Sequence, residues 1–165
     1  MRCFIGIAAS TKLKDSIYEL IEEIRPILHA KFVEKENLHL TLNFLGELRE
    51  DEVNSVKETI NNVNVSRFFI GLHGLDCYPS PMRARVLWIG ITEGRGELEA
   101  LLKNFRGNTP HMTIARFNEP INATSIVNNY STHYFGRMEI NEIVLFQSVL
   151  TPKGPIYIKF WSRIL

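Results

Sequence analysis

The sequence predicts an α+β protein of two lobes, each a mainly antiparallel sheet with helices packed outside it. Three observations support this class. Strand-like and helix-like apolar patterns follow one another along the chain. Short turns join several of the strands. The order helix, His-x-Thr strand, helix, strands occurs twice, which indicates one unit used twice about an approximate twofold axis. Because no linker separates the halves, residues 1–165 are expected to form a single bilobal domain.

The first half of the chain starts with an apolar strand at residues 2–8. From Thr11 the apolar residues follow the spacing of one helix face. Ser10 or Thr11 can cap this helix, and Pro26 would disturb its last turn. The strand "NLHLTLNFL" comes next, and a second helix follows the acidic residues 50–52, which suit the positive end of a helix dipole.

The second half contains two strands, "RFFIGLH" and "RVLWIGI", on either side of a predicted loop, "GLDCYPSPMRA". A short helix over residues 98–105, the strand "HMTIARF" and a helix near residues 125–130 follow. The last two predicted strands are "MEINEIVLFQSVL" and "PIYIKFWSRI", joined by the turn "TPKG".

The composition is that of an ordinary soluble protein, with 45% apolar residues, 22% charged residues and a net charge of +1. A protein that coats long nucleic acid usually has a strong basic excess, so any nucleic-acid contact is expected at a few local charges. Cys3 and Cys77 are too few for a disulfide framework or a zinc site. The N-terminal apolar run is too short for a signal peptide or a membrane span. We therefore expect a cytoplasmic monomer without an obligate protein partner or a membrane contact.

Two strands each carry a histidine and a threonine at the same offset. His39 and Thr41 lie two residues apart, as do His111 and Thr113, so each pair shares one face of its strand. Strict alternation places Leu42 and Phe44 on the opposite, core face. One such motif fits a half-buried histidine beside a threonine chosen for β-propensity. Two motifs in corresponding places favour a site.

Two facing imidazoles suit general acid–base catalysis, because their pKa values lie near neutrality. A displacement at phosphorus needs a base beside the entering oxygen and an acid beside the leaving oxygen. Two equivalent strands would supply both, and the threonine hydroxyls can donate to the non-bridging oxygens. Two histidines without an acidic or thiolate companion fall short of a usual metal site. No metal and no cofactor are expected.

The paired motifs "HLTL" and "HMTI" resemble those of the 2H phosphoesterase superfamily. The stretches "FVEKENLHLTLNFLGEL", "RVLWIGI", "PHMTIAR" and "LTPKGPIY" are similar to its RNA 2′,3′-cyclic phosphodiesterase branch, also called 2′-5′ RNA ligase-like. The resemblance implies a bilobal α+β fold in which both motifs line a central cleft. It implies hydrolysis of a terminal 2′,3′-cyclic phosphate to a 2′-phosphomonoester. It also implies that His39 is the proton donor to the leaving 3′-oxygen, that His111 activates water, and that Thr41 and Thr113 bind phosphate.

Further substrate contacts are expected from Arg116, Arg83, Arg85 and Tyr157. The resemblance brings Arg116 near the site, whereas strict alternation turns it to the other face, where an ion pair or a role between lobes would explain it. Arg83 and Arg85 can meet RNA phosphates or simply be solvated. Tyr157 is a possible stacking platform for a terminal base. Lys153 is most simply a turn residue, with a phosphate contact as the alternative.

Three functions remain open at this point. The first is a metal-independent phosphodiesterase acting on RNA 3′ ends. The second keeps the chemistry but acts on small nucleotides or other molecules with a cyclic phosphate, with minor reversible 2′-5′ ligation. The third is a binding module for RNA ends without catalysis, which the completeness of both motifs argues against.

Overall fold

The computed structural model describes residues 1–165 and shows an α+β protein built on two antiparallel sheets. The strands are β1 (Arg2–Ala8), β2 (Lys31–Phe32), β3 (His39–Glu47), β4 (Phe68–Tyr78), β5 (Ala84–Ile91), β6 (His111–Ile121), β7 (Tyr134–Ile140), β8 (Glu142–Thr151) and β9 (Gly154–Ile164). The helices are α1 (Thr11–Ile24), α2 (Glu50–Asn62), α3 (Arg95–Asn104) and α4 (Thr124–Asn129). None of the helices combines the length and the apolar composition that crossing a membrane requires.

The two sheets have matching strand orders. The first runs β3-β1-β8-β9 and the second β2-β6-β5-β4-β7. If β2 is set aside, each sheet begins with a His-x-Thr strand, β3 or β6, which pairs with β1 or β5 respectively. The expected two-lobed arrangement with paired His-x-Thr strands is therefore confirmed.

The helices begin and end where local sequence signals place them. Ser10 caps α1 by accepting a hydrogen bond from the Leu13 amide at 3.3 Å, and the helix ends before Pro26. The apolar face of α1, including the fully buried Ile17, joins one continuous core of 40 buried residues. Ser16 Oγ donates to Phe135 O at 2.6 Å and thereby fixes α1 to β7. On the first sheet, Arg163 Nη1 donates to Ile60 O at 2.7 Å and fixes the end of α2 to β9.

The structure corrects two strand boundaries. The stretch "MEINEIVLFQSVL" is not one strand, because the chain leaves the second sheet after Ile140 and enters the first sheet at Glu142. The predicted loop "GLDCYPSPMRA" is also wrong in its first half, since β4 continues to Tyr78. The loop was predicted from its glycine and proline content, but Gly74, with a positive φ of 74°, lies within β4, where the pairing with β5 shifts register.

Candidate active site

A cavity of about 340 Å³ lies between the two sheets. Thirteen residues line it, and they include both motif histidines and both motif threonines. His39 and Thr41 come from β3, and His111 and Thr113 come from β6, so the side chains are mounted on two rigid strands. The structure thus brings the four residues of the two motifs to one pocket large enough for a small ligand.

The same hydrogen bond orients each imidazole. His39 Nδ1 lies 2.6 Å from Asn37 O, and His111 Nδ1 lies 2.6 Å from Thr109 O. A carbonyl oxygen only accepts, so Nδ1 carries the hydrogen in both rings, and Nε2 is the ring nitrogen that can exchange a proton with a ligand. His39 Nε2 lies 2.8 Å from Thr41 Oγ1, which donates to it when the ring is neutral.

Aromatic rings surround both histidines. The His39 ring centroid lies 4.8 Å from that of the buried Phe4 and 5.2 Å, edge-on, from that of Tyr157. His111 lies edge-on to Tyr78 and Trp88, at 5.2 Å and 5.8 Å, and these two rings stack on each other. These contacts fix the plane of each imidazole ring.

The environment of His39 disfavours its charged form. The pKa of His39 is lowered from 6.5 to about 4: burial is the largest cause, repulsion from Arg116 and His111 acts in the same direction, and the hydrogen bond to Asn37 O opposes them. His39 is therefore neutral near pH 7 in the free protein. A bound anion would offset this repulsion and raise the pKa of His39. Tyr157 also has a raised pKa because it is partly buried, so it is protonated at neutral pH.

A bulge in each motif strand changes which residues face the cavity. Between β1 and β3, Ile5 pairs with Asn43 and Gly6 with Thr41, so Leu42 is the extra residue. Between β5 and β6, Leu87 pairs with Ala115 and Trp88 with Thr113, so Ile114 is the extra residue. Each extra residue shifts the later side chains by one position.

The bulges overturn two expectations drawn from strict alternation. Arg116 lines the cavity together with His111 and Thr113, although strict alternation predicted that it would face the opposite side of the strand. Phe44, expected in the core, lines the same cavity and is 68% exposed. Both residues stand five positions after their motif histidine, so an arginine on one lobe corresponds to a phenylalanine on the other.

The loop before β6 brings two further polar residues that sequence reasoning missed, Arg106 and Asn108. A Cβ atom on Gly107 would lie only 2.3 Å from Leu42 O, so only glycine allows this loop to approach the bulge of β3. Arg106 has a positive φ of 55°, which is uncommon for a residue with a side chain. A glycine beside an arginine just ahead of a His-x-Thr strand was the available signal.

Only one of the other three predicted contact residues lines the cavity. Tyr157 lines the cavity, whereas Arg83 and Arg85 do not. Arg83 ends a short 3₁₀ turn at Pro81–Arg83, and Arg85 is exposed at the start of β5. Arg83 and Arg85 therefore lie outside the cavity, and their predicted contact with RNA phosphates stays a prediction. No group of three or more His, Cys, Asp or Glu side chains is arranged to hold a metal ion.

Two facing strands that present imidazoles, hydroxyls and an arginine to one pocket define the class of protein, a phosphoesterase with a duplicated site. The family model "LigT like Phosphoesterase" matches residues 7–88. A curated RNA 2′,3′-cyclic phosphodiesterase of Archaeoglobus fulgidus is 35% identical over 95% of this chain and 96% of its own. A curated RNA 2′,3′-cyclic phosphodiesterase of Methanocaldococcus jannaschii is 34% identical over 98% of this chain and 100% of its own. The chain belongs to the LigT-like phosphoesterase family.

Solved structures agree with this assignment. The structure of TT0787 of Thermus thermophilus has a TM-score of 0.79 and 25% identity, and covers 100% of this chain and 98% of that one. The structure of E. coli LigT complexed with phosphate has a TM-score of 0.81 and 22% identity, and covers 99% of this chain and 96% of that one. It shows the shared fold.

Proposed function

We propose that the protein hydrolyses the terminal 2′,3′-cyclic phosphate of RNA to a 2′-phosphomonoester. The observation that carries this proposal is the matched pair of imidazoles in one cavity, each with Nδ1 held by a backbone carbonyl. Nε2 of His111 has no partner within the protein, and Nε2 of His39 is bonded only to the Thr41 hydroxyl. The names of the curated relatives supply the substrate class.

The proposed reaction assigns one proton transfer to each histidine. Water attacks phosphorus while His111 Nε2 takes its proton. The bond between phosphorus and O3′ breaks, and O3′ takes a proton from His39 Nε2. The products are a free 3′-hydroxyl and a 2′-phosphomonoester, and the two imidazoles have exchanged protonation states. No step requires a metal ion.

The surrounding groups suit the charge that develops on the phosphoryl oxygens. Thr41 donates to His39 in the free protein, and the same hydroxyl can turn to a phosphoryl oxygen once the imidazole is protonated. Thr113 occupies the corresponding place on the other lobe, and Arg116 supplies a permanent positive charge. Phe44, exposed on the same cavity, offers a face on which the terminal base can stack.

One observation favours the reverse assignment of the two histidines. His39 has a low pKa in the free protein, as a base would, so it becomes an acid only if the bound phosphate raises its pKa. In the reverse assignment His39 would accept the proton of water and His111 would protonate the leaving oxygen. A substrate whose leaving group needs no proton separates the two assignments.

The test of the proposed function is direct. The purified protein is incubated in EDTA with an RNA that ends in a 2′,3′-cyclic phosphate, and the product is identified by phosphorus NMR. We expect turnover in the chelator and a 2′-phosphomonoester. A 3′-phosphomonoester would show that O2′ is the leaving group, and lack of turnover would refute the proposal.

A further inference from the structure

A second, smaller pocket adjoins the cavity described above. It has a volume of about 150 Å³ and shares Val33, Arg116 and Tyr157 with that cavity. Its remaining walls come from β2, the residues around Asn37, and the turn between β8 and β9. We call it the side pocket. Arg116 stands at the boundary, so a ligand held by Arg116 in the cavity is next to the side pocket.

The side pocket has an excess of positive charge. Lys31, Lys153 and Arg116 line it, and the one acidic residue among its walls is Glu34. None of the three cations is within 4.0 Å of a carboxylate, although nine such ion pairs occur elsewhere in the protein. The exposed side chains of Lys31 and Lys153 are thus available to an anion.

Strand pairing places two of these cations directly opposite each other. Lys31 of β2 pairs with Arg116 of β6 in antiparallel register. Directly opposed residues on antiparallel strands hold their side chains on one face, where like charges repel and destabilise the pairing. A bound anion between them would turn this repulsion into attraction.

The side pocket is also firmly connected to the histidine beside it. Asn37, the one buried polar residue of the protein, donates from Nδ2 to Pro155 O at 2.8 Å and accepts from His39 Nδ1 through its carbonyl. Thr151 Oγ1 donates to Gly154 O at 2.6 Å and closes the turn that carries Lys153. A Cβ on Gly154 would lie 3.9 Å from Lys31 Nζ, so the turn and Lys31 approach each other closely.

These features match the anatomy of an RNA end. The cyclic phosphate and the 5′-phosphate of a terminal nucleotide lie on opposite sides of one ribose. If the cyclic phosphate occupies the cavity, the 5′-phosphate needs a second cationic place one sugar away. We propose that Lys31 and Lys153 bind this 5′-phosphate, the first linkage of the RNA strand, and so favour RNA ends over 5′-hydroxyl mononucleotides. The inference rests on the proposed function.

The experiment compares three substrates, each with a 2′,3′-cyclic phosphate: a mononucleotide with a 5′-hydroxyl, the same mononucleotide with a 5′-phosphate, and a trinucleotide. The test variant is Lys31→Ala/Lys153→Ala. The control variant, Lys12→Ala/Lys103→Ala, removes two exposed lysines that line neither pocket, so its net charge is the same.

We expect the kcat/KM of the test variant to fall about tenfold on the two substrates with a 5′-phosphate, because KM rises while kcat stays the same. Its activity on the 5′-hydroxyl mononucleotide should not change, which also shows that it is folded. The salt dependence of KM for the trinucleotide should weaken by about 0.7 in log–log slope for each phosphate that the variant no longer binds. Lys31→Arg/Lys153→Arg should retain most of the preference, and the control variant should resemble the wild type.

Three results would overturn the inference. Equal losses on all three substrates would mean that the lysines serve the cavity or the fold. Unchanged kinetics on all three substrates would mean that the 5′-phosphate binds elsewhere. The same conclusion would follow if the preference for 5′-phosphorylated substrates were lost in Arg106→Ala but kept in the test variant. If the wild type hydrolyses none of the substrates, the proposed function fails and this inference fails with it, whereas failure of the inference alone leaves hydrolysis intact.

Discussion

Protonation of His39 should destabilise the protein by an amount that follows from its surroundings. The surroundings of His39, of which burial is the largest cause, lower its pKa from 6.5 to about 4 in the folded protein. Between these two pH values the unfolded chain binds the proton and the folded protein does not, so the free energy of unfolding falls as the pH falls. A shift of this size is worth about 3 kcal/mol between pH 7 and pH 4.

The assay is urea unfolding across this pH range for the wild type, His39→Gln and His29→Gln. Carboxylates titrate in the same range in all three proteins and therefore cancel in the comparison. The wild type and the variant of the exposed His29 should lose about 3 kcal/mol more than His39→Gln on acidification. Parallel curves for the wild type and His39→Gln would refute the inference that burial keeps His39 neutral. Proton NMR of the imidazole should report the same low pKa and its rise when phosphate binds.

Three further predictions concern the cavity and the domain. Phe44→Ala should weaken binding of a cyclic nucleotide by about 1–3 kcal/mol, measured as KM, because a stacking face is removed, and Phe69→Ala, which removes an exposed ring outside the cavity, should not. Arg116→Lys keeps the charge but cannot grip phosphate with two parallel hydrogen bonds, so kcat should fall at least tenfold if Arg116 acts on the transition state, and an unchanged kcat would contradict that role. We propose that residues 1–165 unfold as one domain, because β8, near the end of the chain, pairs with β1 in the first sheet. Single-tryptophan variants that retain either Trp88 in the second sheet or Trp161 in the first should then show the same urea midpoint by fluorescence, and separate midpoints would argue for two units.

The sequence was sufficient for the features that depend on local patterns. Apolar spacing located α1 and α2, and the two candidate caps Ser10 and Thr11 marked the start of α1. The repeated His-x-Thr offset identified four polar residues that share the cavity. These features depend on side chains within a few residues of one another, which is the range over which periodicity carries information.

The remaining site residues depend on pairing between distant strands. The bulges at Leu42 and Ile114 exist only because β1 and β5 pair with one residue fewer, and a single strand viewed alone does not show this. For the same reason strict alternation misplaced Phe44 and Arg116. The break after Ile140 is similar, because an apolar run that changes sheets is indistinguishable in sequence from a long strand that stays in one sheet.

The central claim is that the two imidazoles serve as acid and base at one phosphorus atom. Its most direct test measures His39→Ala and His111→Ala on the cyclic substrate and on a phosphodiester with a p-nitrophenolate leaving group, which departs without a proton. The account predicts a loss of about 10²- to 10⁴-fold for both variants on the cyclic substrate, and recovery on the activated ester for His39→Ala alone. Recovery for His111→Ala alone would exchange the two roles, and activity within a few-fold of the wild type in either variant would contradict the claim itself.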